Sequence, residues 1–269
     1  MNSLLRPYLP RAAGLAAAVM LGFSWSGAPA GETAPPAGWS TVVVATNLWQ
    51  TNSLGMPFKK IPELNIWVCA WETRVRDYEV FAAATGRAWS KPSFAQGPTH
   101  PAVLVNWEDA QAFCAWLTAR ERQAGRLAPG VRCRLPTDQE WSAAAGQAPE
   151  AGRTPENRMK SFVAWPWGAH WPPLPGAGNY APELKTDPFE FTAPVGSGKP
   201  NGYGLYDLGG NVWEWCDDWY NEAHVTKVLR GGSFNDSHPG TLLTVYRFNG
   251  TMNLSNDDMG FRVVLAQEK

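Results

Sequence analysis

Oxygen-bearing side chains concentrate in residues 201–220, NGYGLYDLGGNVWEWCDDWY. Glu214 stands between Trp213 and Trp215, and Asp207 precedes it in the same stretch. A carboxylate held between two large rings must turn back to water or meet a strong partner, because burying it alone is too costly. Trp213, Trp215 and Trp219 would each bury a large area. Gly202, Gly204, Gly209 and Gly210 allow left-handed backbone and close approach. No helical or strand period fits the stretch, which predicts a loop-built core whose oxygens are gathered by a cation. Calcium suits such a set, since it takes six to eight hard oxygens from loops able to wrap it.

Other reactive residue types are sparse. Asp236 and His238 are close in sequence, as a transition-metal or general-base pair would be. The plainer reading is a polar turn that ends at Pro239 and Gly240. The remaining histidines, His100, His170 and His224, form no helical pair at metal-ligand spacing. Cys69, Cys114, Cys133 and Cys216 have no C-x-x-C spacing, so a zinc site is not indicated. Three full disulfide pairings and four buried thiols all stay open. No nucleophile is paired with a base, so no catalytic residue is assigned.

These groups need elements to hold them. A near-continuous apolar run predicts a strand over 65–71. Glu72 and Thr73 then lead into a helix over 74–84, with Thr73 as N-cap, Gly86 past the end and no chemistry assigned to Glu72. A short strand is predicted at 101–105. Asn106 starts a second helix, with Asp109 completing a capping box and Ala110, Phe113, Cys114 and Leu117 as its buried stripe. Cys133 and Leu135 lead to Thr137 and Glu140, a T-x-x-E capping box in which Glu140 is a cap and not an acid catalyst. Residues 146–200 read as long, aromatic-packed loops, and 227–229 and 262–265 as closing strands.

Composition sets outer limits. The chain has 269 residues, 44% of them hydrophobic, with a net charge of −1. No basic excess points to nucleic acid. Gly and Pro are abundant, at 26 and 23 residues, which favours an irregular, loop-rich fold. Arg6 and Arg11 precede a short apolar run at 12–23, and Ala28-Pro29-Ala30 fits a cleavage site. The expectation is a signal peptide over 1–30, a linker and lead-in over 31–51, and one domain over 52–269. Export to the periplasm or beyond would follow cleavage near Ala30, with no transmembrane span in the mature chain.

The 201–220 stretch closely resembles the signature of the formylglycine-generating enzyme (sulfatase-modifying factor) superfamily. HPAVLVNW, RLPTDQEW, WPWG, APVG, LRGGSF and GFRV follow in the family's order. The resemblance implies a single α+β domain related to C-type lectins, with an opening strand over 52–61, low regular secondary structure and two calcium sites. Asn179, Tyr180, Asp187 and Phe189 match the first site. Asp207, Gly210, Val212 and Glu214 match the second. The family's founding activity oxidises a sulfatase cysteine with copper held by two thiolates shortly after the GGS motif. Here Asp236 and Thr241 fall at or near those places, and no Cys follows Cys216. Hard oxygens do not hold Cu(I), so copper and copper-dependent oxidation are not expected. Arg230, Arg247 and Arg262 lie in family-like positions, with Arg247 the pocket candidate beside Asp236 and His238, and Arg262 a structural guanidinium. The implied function is a calcium-stabilised binding or accessory domain for an unknown peptide, glycan or protein. The alternative is an oxidoreductase of the formylglycine-generating or pyoverdine-maturation type with a divergent, non-haem active site.

Overall fold

The computed structural model describes residues 49–159 and 164–268. They fall in the second of the chain's two units, 46–269. The expected signal peptide and most of the linker lie outside the described residues. Among the described residues, no helix is long and apolar enough to cross a membrane.

Two sheets carry the fold. β1 (Trp49–Thr51), β2 (Pro57–Ile61), β3 (Ile66–Cys69), β4 (Val131–Arg134) and β9 (Val264–Gln267) form an antiparallel sheet in the order β1-β2-β3-β9-β4. The second sheet runs β7 (Phe248–Gly250), β6 (Lys227–Arg230), β5 (Trp213–Trp219), β8 (Met259–Gly260), with only the β5–β8 pair parallel. Among the described residues, four α-helices complete the α+β fold: α1 (Val75–Thr85), α2 (Trp107–Gln123), α3 (Asp138–Ala144) and the one-turn α4 (Pro155–Arg158).

Strand alternation splits the core in two. Successive residues of a strand point to opposite faces. Phe58, Cys69 and Leu265 join one cluster with Tyr78, Phe81, Phe113 and Phe261, which places α1 and α2 on that side. Val68, Val264 and Ala266 join the other, with Trp141, Leu205 and Val228. Each fully buried Phe or Leu contributes about 1.5–3 kcal/mol of apolar burial.

The helix starts follow from local hydrogen bonding. The Asn106 side chain accepts from the Asp109 N–H at 2.8 Å, and Asp109 accepts from the Asn106 N–H at 3.1 Å. Thr137 and Glu140 form the expected reciprocal box, and Arg134 grips Glu140 at 2.6 and 2.7 Å. Gly86 closes α1 at φ 68°. The α1 N-cap is Arg74, not Thr73. Thr73 is held extended instead, its N–H donating to Phe261 O and its carbonyl accepting from Ala102 N–H.

Three further expectations need correction. Of the strand expected over 52–61 only 57–61 is strand, because the Asn52 side chain accepts from the Leu54 and Met56 N–H groups and folds 52–56 into a turn. Residues 101–105 make only an isolated bridge, Arg74 to Pro101, because Leu104 turns left-handed at φ 56° and breaks the extended run. Residues 201–220 are not all loop, since β5 occupies their second half as a central strand. Its first four residues are all buried, which erases the alternation that marks a half-buried strand.

Candidate functional site

Three loops meet just before β5, and Asn211 joins them. It is 1% exposed and left-handed at φ 62°. Its N–H donates to Asn179 O at 2.7 Å, and its carbonyl accepts from Phe234 N–H at 2.9 Å. Its side-chain oxygen accepts from Asn179 Nδ2 at 3.1 Å and Ala193 N–H at 2.9 Å. Gly210 beside it is at φ 82°, and an added Cβ would lie 2.3 Å from Asn179 O. The loops approach so closely that no side chain fits there.

Two cavities open at this junction. One of about 230 Å³ is lined by Asn179, Thr186, Asp187, Phe189, Ser197 and Asp207, among others. A neighbour of about 260 Å³ shares Gly176, Gly178, Gly198 and Asp207, and adds Trp167, Leu174, Lys199 and Asn201. The rings of Trp165 and Trp167 stack 6.1 Å apart, and Tyr180 meets Trp167 edge-on at 5.1 Å.

The first predicted oxygen set is brought together. Asn179 donates its amide to Phe191 O at 2.9 Å, while its Oδ1 is buried without a hydrogen-bond partner. Asp187 accepts from Phe189 N–H at 2.9 Å, Thr186 Oγ1 at 2.8 Å and Tyr180 N–H at 3.2 Å. An orphaned amide oxygen beside a carboxylate on a cavity wall fits a hard cation.

The second predicted set is divided. Asp207, left-handed at φ 56°, lines both cavities and accepts from Gly196 N–H at 2.6 Å. Burial raises its carboxyl above the ordinary range, and the Gly196 bond offsets part of that. Neither cavity is lined by Gly210, Val212 or Glu214. The Glu214 oxygens accept from Arg262 at 2.5 and 2.6 Å and from Trp141 Nε1 at 2.8 Å. Arg262 spends its other donors on the carbonyls of Cys69, Tyr206 and Asp207, the structural role expected of it. Among the described residues, no three His, Cys, Asp or Glu side chains converge as metal ligands. An ion here would draw most of its shell from carbonyls, amides and water.

Asp236, His238 and Arg247 do not form one pocket. Arg247 is 1% exposed, and its guanidinium is tied to Asp138 and Glu150. A guanidinium so engaged has no donors left for a ligand. His238 is exposed, and its Nδ1 accepts from Gly240 N–H at 3.1 Å, which makes the polar turn. Asp236 accepts from Ser233 N–H at 2.9 Å and Ser233 Oγ at 2.7 Å. Ser233 also reaches Asp258 at 3.4 Å, whose other oxygen is buried and unpartnered. Burial, then the charges of Asp236 and Asp257, push Asp258 up to about 6.

All four cysteines are free and buried. Burial pushes the thiols of Cys69 and Cys133 up to about 12 and raises Cys114 and Cys216 as well. None is a ready thiolate. Sequence reading passed over Glu72, Asp138, Glu150, Asn211, Ser233 and Asp258. Asn211, inside the GGN turn, carried the clearest signal.

Comparison with known proteins agrees with this architecture. The family model described as sulfatase-modifying factor enzyme 1-like domain matches residues 47–267. The formylglycine-generating enzyme of Streptomyces coelicolor is 32% identical over 207 residues, 66% of this chain and 58% of that protein. The inactive C-alpha-formylglycine-generating enzyme 2 of Mus musculus is 36% identical over 172 residues, 60% of this chain and 48% of that protein. The chain thus spans about half to three fifths of the length of these curated relatives. In fold it resembles PvdO from Pseudomonas aeruginosa, with a TM-score of 0.57, 24% identity, and coverage of 80% of this chain and 82% of that one.

Proposed function

Because the chain belongs to the sulfatase-modifying factor enzyme 1-like domain family, we propose that it is an exported, calcium-stabilised binding or accessory domain without copper-dependent formylglycine-generating oxidase activity. The observation that carries this reading is the unpartnered, buried Asn179 Oδ1 on the wall of a cavity that Asp187 and Asp207 also line. Asn179 and Asp187 would supply side-chain oxygens to the ion, and Tyr180 and Phe189 carbonyls. Bound there, calcium cross-links loops that have almost no regular structure of their own. The adjoining cavity, floored by Trp167 and edged by Lys199 and Asn201, offers apolar and polar contacts to a peptide or glycan.

The residues near the family's copper positions do not suit Cu(I). Asp236 is a hard ligand already bonded to Ser233, and Thr241 offers only another oxygen. The chain's thiols are buried elsewhere. The relative named as inactive adds support. Elemental analysis of mature protein purified without chelators should give calcium near one or two per chain and no stoichiometric copper. Incubation with a sulfatase-motif peptide, copper and O₂ should leave the peptide cysteine unchanged, and aldehyde formation would overturn the reading.

One observation favours a second reading, an oxidoreductase with a divergent centre. Asp236, Ser233 and Asp258 form an acid cluster beside the GGS motif. Stoichiometric iron in the purified protein, lost in Asp236→Asn, would turn the assignment that way.

A further inference from the structure

We propose that Glu72 is a ligand of a divalent cation shared with Asp207, taking the role that family resemblance gives to Glu214. The inference rests on the calcium reading above and concerns which acid serves the second ion.

Glu72 lies between β3 and α1 and is 0% exposed. Both of its carboxylate oxygens are buried without a protein donor, and the Asp207 carboxyl group is the polar neighbour they face. Its charged neighbours are Asp207, Glu214 and Arg262. Arg262 is already committed to Glu214 and to three backbone carbonyls. Three carboxyl groups therefore share one guanidinium, and their full ionisation would leave two negative charges in a buried space. A carboxylate in that position needs a proton or a cation. One divalent ion cancels the excess, and a pair of carboxylates with carbonyls and water suits calcium. Asp207 lines both cavities and so gives an ion a way in. Glu72 is held in place by its neighbour, since Thr73 is bonded on both sides, to Phe261 and to Ala102.

Calcium titration of chelator-stripped protein, followed by calorimetry and by thermal unfolding, tests the assignment. Wild type should bind calcium and unfold at a higher temperature with it. Glu72→Gln should weaken one site at least tenfold and leave the Asn179 site intact. Glu72→Gln with wild-type calcium binding would overturn the Glu72 assignment and leave the calcium reading standing. A wild type that binds no calcium would overturn both. If Glu72→Gln fails to fold, anomalous density from calcium-soaked wild-type crystals decides. A peak against Glu72 and Asp207 supports the assignment, and a peak against Glu214, or none near Glu72, overturns it.

Discussion

Two buried charge clusters in this domain are built to opposite rules. Around Asp138, three guanidiniums, from Arg158, Arg230 and Arg247, meet two carboxylates, from Asp138 and Glu150, while Asp218 accepts from the Asp138 N–H. Nearly every donor finds an oxygen, and Arg230 also lies over the Trp141 ring at 4.4 Å. Around Glu72, three carboxylates share one guanidinium, and two oxygens have no donor. The first cluster leaves one donor, Arg230 Nε, without a partner and no carboxylate oxygen unpaired, and it ties α3, α4 and β6 to the loop that carries Arg247. The second is incomplete as protein alone. A buried ion pair is weak evidence for stability, but an imbalance among buried charges points to what else the fold must hold.

Breaking the balanced cluster should have the largest effect. Burial would raise Asp138, but the charges of Arg230 and Arg247 and the hydrogen bonds from Arg247 and Arg158 outweigh it and hold the carboxyl at about 2. Its stabilisation is therefore complete above its ordinary value of 3.8 and is lost as pH falls through about 2. Asp138→Asn should cost about 3–5 kcal/mol at pH 7 in denaturant unfolding. The mutant and wild-type stabilities should converge between pH 4 and pH 2, and curves that stay parallel would refute the network's role.

An unbalanced acid should behave in reverse. Asp258 is raised from 3.8 to about 6, so wild-type stability falls as pH rises through that window. Asp258→Asn should gain about 1–2 kcal/mol at pH 8 and nothing at pH 4. A loss at pH 8 would mean that the Asp258 charge is compensated after all. The smallest effect sets the scale. Lys91 and Glu79 form an exposed pair at 2.9 Å, and Glu79→Ala, which leaves the Lys91 contact with the Trp89 ring in place, should change stability by less than about 0.5 kcal/mol. A larger change would show that exposure is a poor guide to the strength of ion pairs here.

What the sequence revealed follows the same division between local and distant causes. The caps at Asn106 and Thr137 and the buried stripe of α2 are set within a few residues, and they stand as read. The α+β character and the long loops of 146–200 were legible from turn composition and from the ordered motifs. β5 was not, because complete burial removes its period. Arg247 was misread because the family resemblance put its segment on the cleft, while its partner Asp138 lies 109 residues away. Glu72 was assigned no chemistry because its partners are equally remote. Its meaning depends on Asp207, Glu214 and Arg262, which arrive from separate parts of the chain.

The position of β9 has a consequence for how the domain is made. It is the last described strand, yet it lies between β3 and β4 near the middle of its sheet. The Arg262 side chain also reaches back across 193 residues to Cys69 O. While the chain emerges from the ribosome, β3 and β4 have no common partner and the first sheet cannot close. Pairing across such separations is slow. A sheet whose keystone arrives last cannot close until residues 264–267 have been made.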